Sequence, residues 1–272
     1  MLRLDRRDFM GMAGALEAVP VGGGGETERL LAGMAEALLR EYPENATALG
    51  LHEGGRAALK SELTDRSPEG RRRLAASAAE RLARLRAIDT SGLDPQTRIN
   101  VDVVRTAHEL ATEGFAFPFG DVVSLSAQWS YRNAPYVVAQ NTGAFIEIPD
   151  FLDSNHTIET AADAEAYLAR VEQYAAALDG ETARLSHDAS IGVVAPAFLL
   201  DKTLGQMTEA RAEPLTQWTL VTALVEGTKN MGGDYGRRVL QLVSDKVAPA
   251  MDRQIAELTR HRAGATMDAG VW

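Results

Sequence analysis

The stretch TAADAEAYLARVEQYAAALDGETARLSH, residues 160–187, decides the fold, because it predicts one long and largely buried helix. Thr160 followed three residues later by Asp163 is typical of a capping box at a helix start. Small and apolar residues then recur at alternating steps of four and three, namely Ala164, Leu168, Val171, Ala175, Leu178, Thr182 and Leu185. This spacing predicts that the helix packs along its length against an antiparallel neighbour.

Helical patterns continue on both sides of this stretch. Upstream, they predict helices that begin at Glu26, at Pro68 and at Pro95, the last with Asp94 as its N-cap. Downstream, they predict helices over residues 196–210, 220–229 and 234–261, the last kinked at Pro249. The sequence therefore predicts a mainly α fold, a multi-helix bundle.

The helix predicted from Pro95 carries apolar side chains on two opposite faces. They are Ile99, Val103 and Leu110 on one face, and Val101, Val104 and His108 on the other. A helix that is apolar on both sides is expected to lie between two neighbours. We therefore expect this helix to be sandwiched within the bundle.

One segment departs from the helical pattern, in the region 121–148. Residues 122–127 and 136–148 are rich in β-branched and aromatic residues, and QNTG at 140–143 is a plausible turn between YVVA and AFIEI. The sequence predicts one small β-hairpin or strand insert here. Because loops on a rigid scaffold often carry binding sites, we predict that Asn133, Tyr136, Gln140 and His156 bind a substrate. The alternative is that the hairpin only seals one end of the bundle.

Composition excludes several classes of protein. The 272 residues carry a formal net charge of -10, which opposes binding to nucleic acid or to an anionic membrane. With no cysteine, the chain can form neither disulfides nor thiolate metal sites. No apolar run approaches the roughly 18 residues that a transmembrane helix requires.

The N-terminus resembles an export signal. LDRRDFMGMAGAL at residues 4–16 places Arg6 and Arg7 before a short apolar stretch, as in a twin-arginine signal, and a glycine-rich spacer follows up to residue 25. We predict that residues 1–25 are signal and spacer, that residues 26–272 form the helical domain, and that the protein is exported. The alternative is a frayed basic N-terminus on a cytoplasmic protein.

Searches for catalytic motifs find no complete set of residues. HELAT at residues 108–112 has the first histidine and the glutamate of a zinc-peptidase motif, but Thr112 stands where the second histidine should be. There is no G-x-S-x-G elbow, and the glycine run at 22–25 lacks the lysine of a phosphate loop. We therefore assign no catalytic residue and no metal ligand.

A family resemblance extends over most of the chain. YPENATALGLH at 42–52, NAPYVVAQNTGAFIEIPDFLDSNHTI at 133–158, GVVAPAFLLDKTLGQM at 192–207 and MDAGVW at 267–272 resemble the N-terminal half of the domain of unknown function 885 family. That family is regarded as related to the gluzincin metallopeptidases, mostly helical, often exported by bacteria and longer than this chain. The resemblance implies a zinc-binding His-Glu-x-x-His helix in the C-terminal half, and no residue here matches it.

Two functions follow as expectations. In the first, the chain is the N-terminal scaffold and part of the substrate groove of an exported zinc-metallopeptidase-like protein. It would be inactive alone, with zinc expected only in the C-terminal half and with a peptide or small molecule as substrate. In the second, it is a non-enzymatic binding protein of the cell envelope. The sequence does not fix the oligomeric state.

Overall fold

The computed structural model describes residues 25–122, 125–126 and 133–268, and its architecture is mainly α, as predicted. The predicted export signal lies outside these residues, apart from the end of its spacer. The α-helices, in chain order, are α1 Glu26–Glu41, α2 Pro43–Ala48, α3 Pro68–Arg86, α4 Pro95–Phe115, α5 Ala144–Asn155, α6 Ala161–Ser190, α7 Ala197–Ala212, α8 Thr219–Gly227, α9 Tyr235–Leu242 and α10 Ala248–Gly264. Short 3-10 helices span Gly54–Ser61 and Leu215–Gln217, and a π-helix spans Val243–Val247.

Helix α6 is the central element of the fold. Its predicted capping box is confirmed: the Thr160 hydroxyl accepts from the Asp163 backbone N–H, and the Asp163 carboxylate accepts from the Thr160 backbone N–H. Its apolar stripe packs chiefly against α10, and α5, α8, α9 and the Gly54–Ser61 helix also contact it. Burial of these apolar faces supplies most of the drive for folding.

The start of α3 approaches α6 so closely that only glycine fits at one position. A Cβ atom added at Gly180 would lie 2.9 Å from both the backbone N and the Cα of Ser67. Ser67 is also the N-cap of α3, since its hydroxyl accepts from the Gly70 N–H at 3.0 Å. The contact therefore fixes the first turn of α3 against the middle of α6.

Helix α4 pairs with α3, and its predicted cap is confirmed, because the Asp94 carboxylate accepts from the N–H groups of Gln96 and Thr97. The predicted sandwich is wrong for the described residues. Val101 and His108 are buried, but the side chains on the other face are exposed: Ile99 by 55%, Val103 by 62% and Leu110 by 53%. Helices α3 and α1 cover only one side of α4, so an apolar stripe faces outward.

The predicted strand insert is present only as a minimal sheet. Strand β1, Asp121–Val122, pairs antiparallel with β2, Asn133–Ala134. The predicted turn at QNTG also exists, since Ala139 and Thr142 exchange both backbone hydrogen bonds across Gln140 and Asn141.

The predicted second strand of the hairpin is wrong, because residues 144–155 form α5. The residues that looked like alternation in AFIEI belong to a helical pattern that continues through PDFLD, with Ala144, Ile148, Phe151 and Leu152 buried on one face. A periodicity of three and four outweighs the local β-propensity, because it buries four apolar side chains against the core.

The C-terminal helical segment changes its geometry just before Pro249, where the sequence predicts a kink. Because Pro249 has no backbone N–H, it cannot bond the carbonyl of residue 245, and the π-helix Val243–Val247 lies at this point. Among the described residues, no helix combines the length and the apolar content needed to cross a membrane.

Candidate functional site

The turn at residues 136–143 rests on a cluster of buried charges. Gly143 precedes α5 with φ of 118°, a conformation that favours glycine. The Gly143 N–H donates to Glu147 at 2.9 Å, and the Ala144 N–H donates to Glu181 at 2.8 Å. These two carboxylates satisfy backbone donors at the start of α5, where negative charge also interacts favourably with the helix dipole.

Arg66 joins the two carboxylates. Its Nη1 atom lies 2.8 Å from Glu147 and 2.9 Å from Glu181, whose side chains are 4% and 1% exposed. Burial disfavours the charged guanidinium, but the carboxylates of Glu181 and Glu44 outweigh this effect and raise the pKa of Arg66. Arg66 therefore keeps its charge, and its ion pairs with both carboxylates support the 136–143 turn at the start of α5.

Two of the predicted site residues, Tyr136 and Gln140, lie on this supported turn. Neither the Tyr136 hydroxyl nor the Gln140 amide makes a hydrogen bond with a described residue, and both side chains are partly exposed. Burial raises the pKa of the Tyr136 hydroxyl, so it remains a neutral donor. These two side chains are available to a ligand.

Tyr136 also lines a small cavity beside α6. The cavity measures about 10 Å³, close to the smallest volume that can hold one water molecule, and Asp188 and His261 reach it from α6 and α10. Asp188 is 4% exposed and accepts from the Gly120 N–H at 2.9 Å. Burial raises the pKa of this carboxyl group.

The structure places His156 in a different environment. Its Nδ1 accepts from Arg170 at 2.9 Å, its Nε2 donates to the Asp163 carbonyl at 3.0 Å, and its ring meets Tyr167 edge to face. Burial, reinforced by the charge of Arg170, lowers the pKa of His156 to about 4. His156 is thus a neutral, fully engaged residue that orders the core. Asn133 pairs through its backbone in β2.

The charged residues that organise this region escaped the sequence interpretation. They are Arg170, Glu181, Arg184 and Asp188 on α6, together with Arg66. At 100° per residue, the four on α6 fall within an arc of about 60° on one face of the helix. This clustering of charged residues on one face of a helix predicted to be largely buried is the sequence signal that could have identified them.

Possible metal ligands do not converge in the described part of the chain. Histidine, aspartate and glutamate side chains there form no group of three or more that could hold a metal ion. In the incomplete HELAT motif, His108 accepts from Arg81 and contacts the Val104 carbonyl, and burial lowers its pKa. The described residues therefore do not provide a zinc site.

Comparison with solved structures finds the same fold in a longer protein. A crystal structure described as "the putative lipoprotein from Colwellia psychrerythraea" matches with a TM-score of 0.79 at 18% sequence identity. The match covers 91% of this chain and 43% of that chain, so the present chain spans less than half the length of that protein.

Comparison at the level of sequence identifies the family. No curated protein matches the chain. The model of a bacterial protein family of unknown function, DUF885, matches residues 43–270, which include the 136–143 turn, α5 and the whole of α6. The chain therefore belongs to the DUF885 family.

Proposed function

We propose that this chain forms the helical scaffold and part of the substrate groove of an exported, metallopeptidase-like hydrolase. The observation that carries the proposal is the 136–143 turn. Tyr136 and Gln140 offer polar groups that are unpaired among the described residues, on a turn that buried charges support at the start of α5. A rigid support for exposed polar groups is what a binding site requires, because little entropy is then lost when a ligand is ordered.

The proposed substrate is a peptide or a small molecule with hydrogen-bonding groups. Tyr136 can donate through its hydroxyl, and Gln140 can both donate and accept, so together they match the alternating donors and acceptors of a peptide backbone. In this proposal, zinc and the catalytic base come from outside the described residues, and the contribution of this chain is to bind and orient the substrate. The lipoprotein description of the structural neighbour supports export.

The exposed face of α4 supports the same proposal. Ile99, Val103 and Leu110 form an apolar stripe of a kind that soluble proteins usually cover. The structural neighbour has further polypeptide beyond the part that it shares with this chain. We infer that additional polypeptide of the same protein packs on α4 in the complete enzyme.

A non-enzymatic envelope binding protein is the second candidate. It is favoured by the way the turn is supported, since Arg66, Glu147 and Glu181 all come from this chain and lie within its own packed core. The turn can therefore keep its shape without any other polypeptide, and a binding function needs nothing more.

Peptide binding tests the proposal that both candidates share. We would measure the affinity of a library of short peptides for the purified chain and for Tyr136→Ala and Gln140→Ala variants. Each variant should weaken binding by about tenfold, the value of one well-placed hydrogen bond. Asn100→Ala is the control, because Asn100 is an exposed amide residue on α4, outside this turn. Equal affinity for all four proteins would reject the groove.

Hydrolysis separates the two candidates. The longest native form of the protein should cleave a bound peptide in the presence of zinc if it is the hydrolase. Binding without cleavage by that form, under conditions in which a known zinc peptidase is active, would instead establish the binding protein.

A further inference from the structure

A second cleft lies at the C-terminal end of α6, next to the first turn of α3. Its volume is about 280 Å³, enough for a ligand the size of a single amino acid or somewhat larger. Arg71 and Pro68 line it from α3, Arg184 and Asp188 from α6, and residues 118–120 from the connection to β1. This cleft is separate from the Tyr136 and Gln140 surface, although Asp188 borders both cavities.

Arg71 brings a charge into this cleft that pairs with no carboxylate among the described residues. Its Nη2 donates to the Phe117 carbonyl at 2.9 Å, and its guanidinium lies 5.6 Å from the centre of the Phe115 ring. Its Nε and Nη1 atoms donate to no described residue. Burial and, next, repulsion from Arg184 lower the pKa of Arg71. An anion bound at this point would stabilise the charged form of Arg71 and so oppose both the effect of burial and the repulsion from Arg184.

Arg184 presents a second guanidinium to the same space. The residue is 7% exposed, and only its Nη2 is hydrogen-bonded, to the Gly120 carbonyl at 2.8 Å and to Asp121 at 3.0 Å. Its Nε and Nη1 also donate to no described residue. The nitrogens of both arginines that are not hydrogen-bonded are absent from the buried unsatisfied atoms of the described residues, so they reach the solvent in the cleft. The unused nitrogens of Arg71 and Arg184 can therefore donate to an acceptor that enters the cleft in place of water.

The other lining residues define the rest of the ligand. Pro68, Pro118 and Phe119 give the cleft apolar walls, so the ligand should carry an apolar body as well as its charge. The opposing carboxylate, Asp188, is already engaged by the Gly120 N–H. Two guanidinium groups that line one cleft beside apolar walls match a carboxylate attached to a hydrocarbon or aromatic group.

We propose that the cleft between Arg71 and Arg184 binds a small organic carboxylate. The carboxylate accepts from both guanidinium groups, and its apolar substituent lies against the two prolines and Phe119. This site is independent of the proposed function, because none of its donors takes part in the support of the 136–143 turn.

Calorimetric titration of the purified chain tests the site with three probes. N-acetylphenylalanine supplies the carboxylate and an apolar body, N-acetylphenylalaninamide supplies the same body without charge, and inorganic phosphate supplies charge without the body. We expect the acid to bind at least about tenfold more tightly than either of the others, since the amide lacks the negative charge and one of the two acceptor oxygens, and phosphate lacks the apolar body. Equal affinity for acid and amide, stronger binding of phosphate, or no binding of the acid would each overturn the proposal.

A pair of arginine variants tests whether the acid binds at Arg71. Arg71→Gln should weaken binding of the acid by roughly tenfold or more, whereas Arg73→Gln should leave it unchanged, because Arg73 is an exposed residue of the same helix paired with Asp65. Equal affinity of both variants would place the ligand elsewhere. If Arg71→Gln fails to fold, the comparison of acid with amide on the unmodified chain still decides the outcome.

Discussion

Helices α6 and α4 both depart from the usual pattern of buried apolar and exposed charged side chains, and they do so in opposite ways. Helix α6 buries four charged side chains on one face, whereas α4 exposes three large apolar side chains on one face. The buried charges are stable because each has nearby partners, and the exposed apolar groups add nothing to the stability of this chain. The comparison teaches that burial here follows the availability of partners rather than the polarity of the side chain.

Removal of a buried carboxylate should have the largest effect on stability. Glu181→Ala leaves the Ala144 N–H without its acceptor and deprives Arg66 of one of its two carboxylates. We expect the free energy of unfolding in urea to fall by about 3–5 kcal/mol, as for other broken buried ion pairs. Glu172→Ala is the control on the same helix, because its pair with Lys246 is exposed and should be worth at most about 1 kcal/mol. Similar losses for both variants would contradict a special role for the buried face.

The neutral histidine next to α6 should make stability depend on pH. Because burial lowers the pKa of His156 to about 4 from its usual value near 6.5, the unfolded chain binds more protons between these values. His156 therefore contributes full stability above pH 6.5, and this contribution falls by up to about 1.4 kcal/mol per pH unit as the pH drops toward 4.

The His156→Gln variant isolates this effect from the other titrating groups. Its unfolding free energy, subtracted from that of the unmodified chain at each pH, should give a difference that is constant above pH 6.5 and shrinks below it. A difference that does not change with pH would show that His156 is not held neutral.

Two valines on α4 test whether its apolar stripe is exposed and adds nothing to stability. Val101→Ala should cost about 2 kcal/mol, because Val101 is fully buried, whereas Val103→Ala should change the unfolding free energy by less than about 0.5 kcal/mol. The two variants remove the same atoms from opposite faces of the same helix, so each is the control for the other. Comparable losses would mean that the Val103 face is covered in solution.

The smallest expected effect concerns the free hydroxyl of Tyr136. Tyr136→Phe should change stability by less than about 0.5 kcal/mol, since the hydroxyl bonds to no described residue. Thermal unfolding followed by circular dichroism checks this. A clear loss of stability would mean that the hydroxyl serves the fold and is not available to a ligand.

The helices were predictable from sequence because their signals are local. Asp94 before Pro95, the capping box at Thr160 and the stripe along α6 each depend on residues within one or a few turns. The start of α5 was mispredicted because AFIEI satisfies both strand and helix patterns. The helical pattern that continues through PDFLD decides between them, because it buries four apolar side chains against the core. Glu181, 37 residues further along the chain, adds an acceptor for the Ala144 N–H at the helix start.

The candidate site was only partly predictable for the same reason. Tyr136 and Gln140 were found by their composition in a polar turn, and they stay predictions until a ligand is measured. The inward position of Arg170 and the pairing of Arg66 with Glu181 across 115 residues depend on tertiary contacts that no local pattern encodes. Only the charged face of α6 could have pointed to them.

The π-helix at Val243–Val247 has a consequence for how this segment is aligned with related sequences. Val239, Val243, Val247 and Met251 are all buried, although a repeat of four residues would drift steadily around a regular α-helix. The wider π turn absorbs that drift, much as an inserted residue would, but no loop marks the place. An alignment that treats residues 235–264 as a gap-free helix would therefore assign buried and exposed positions incorrectly on one side of this point.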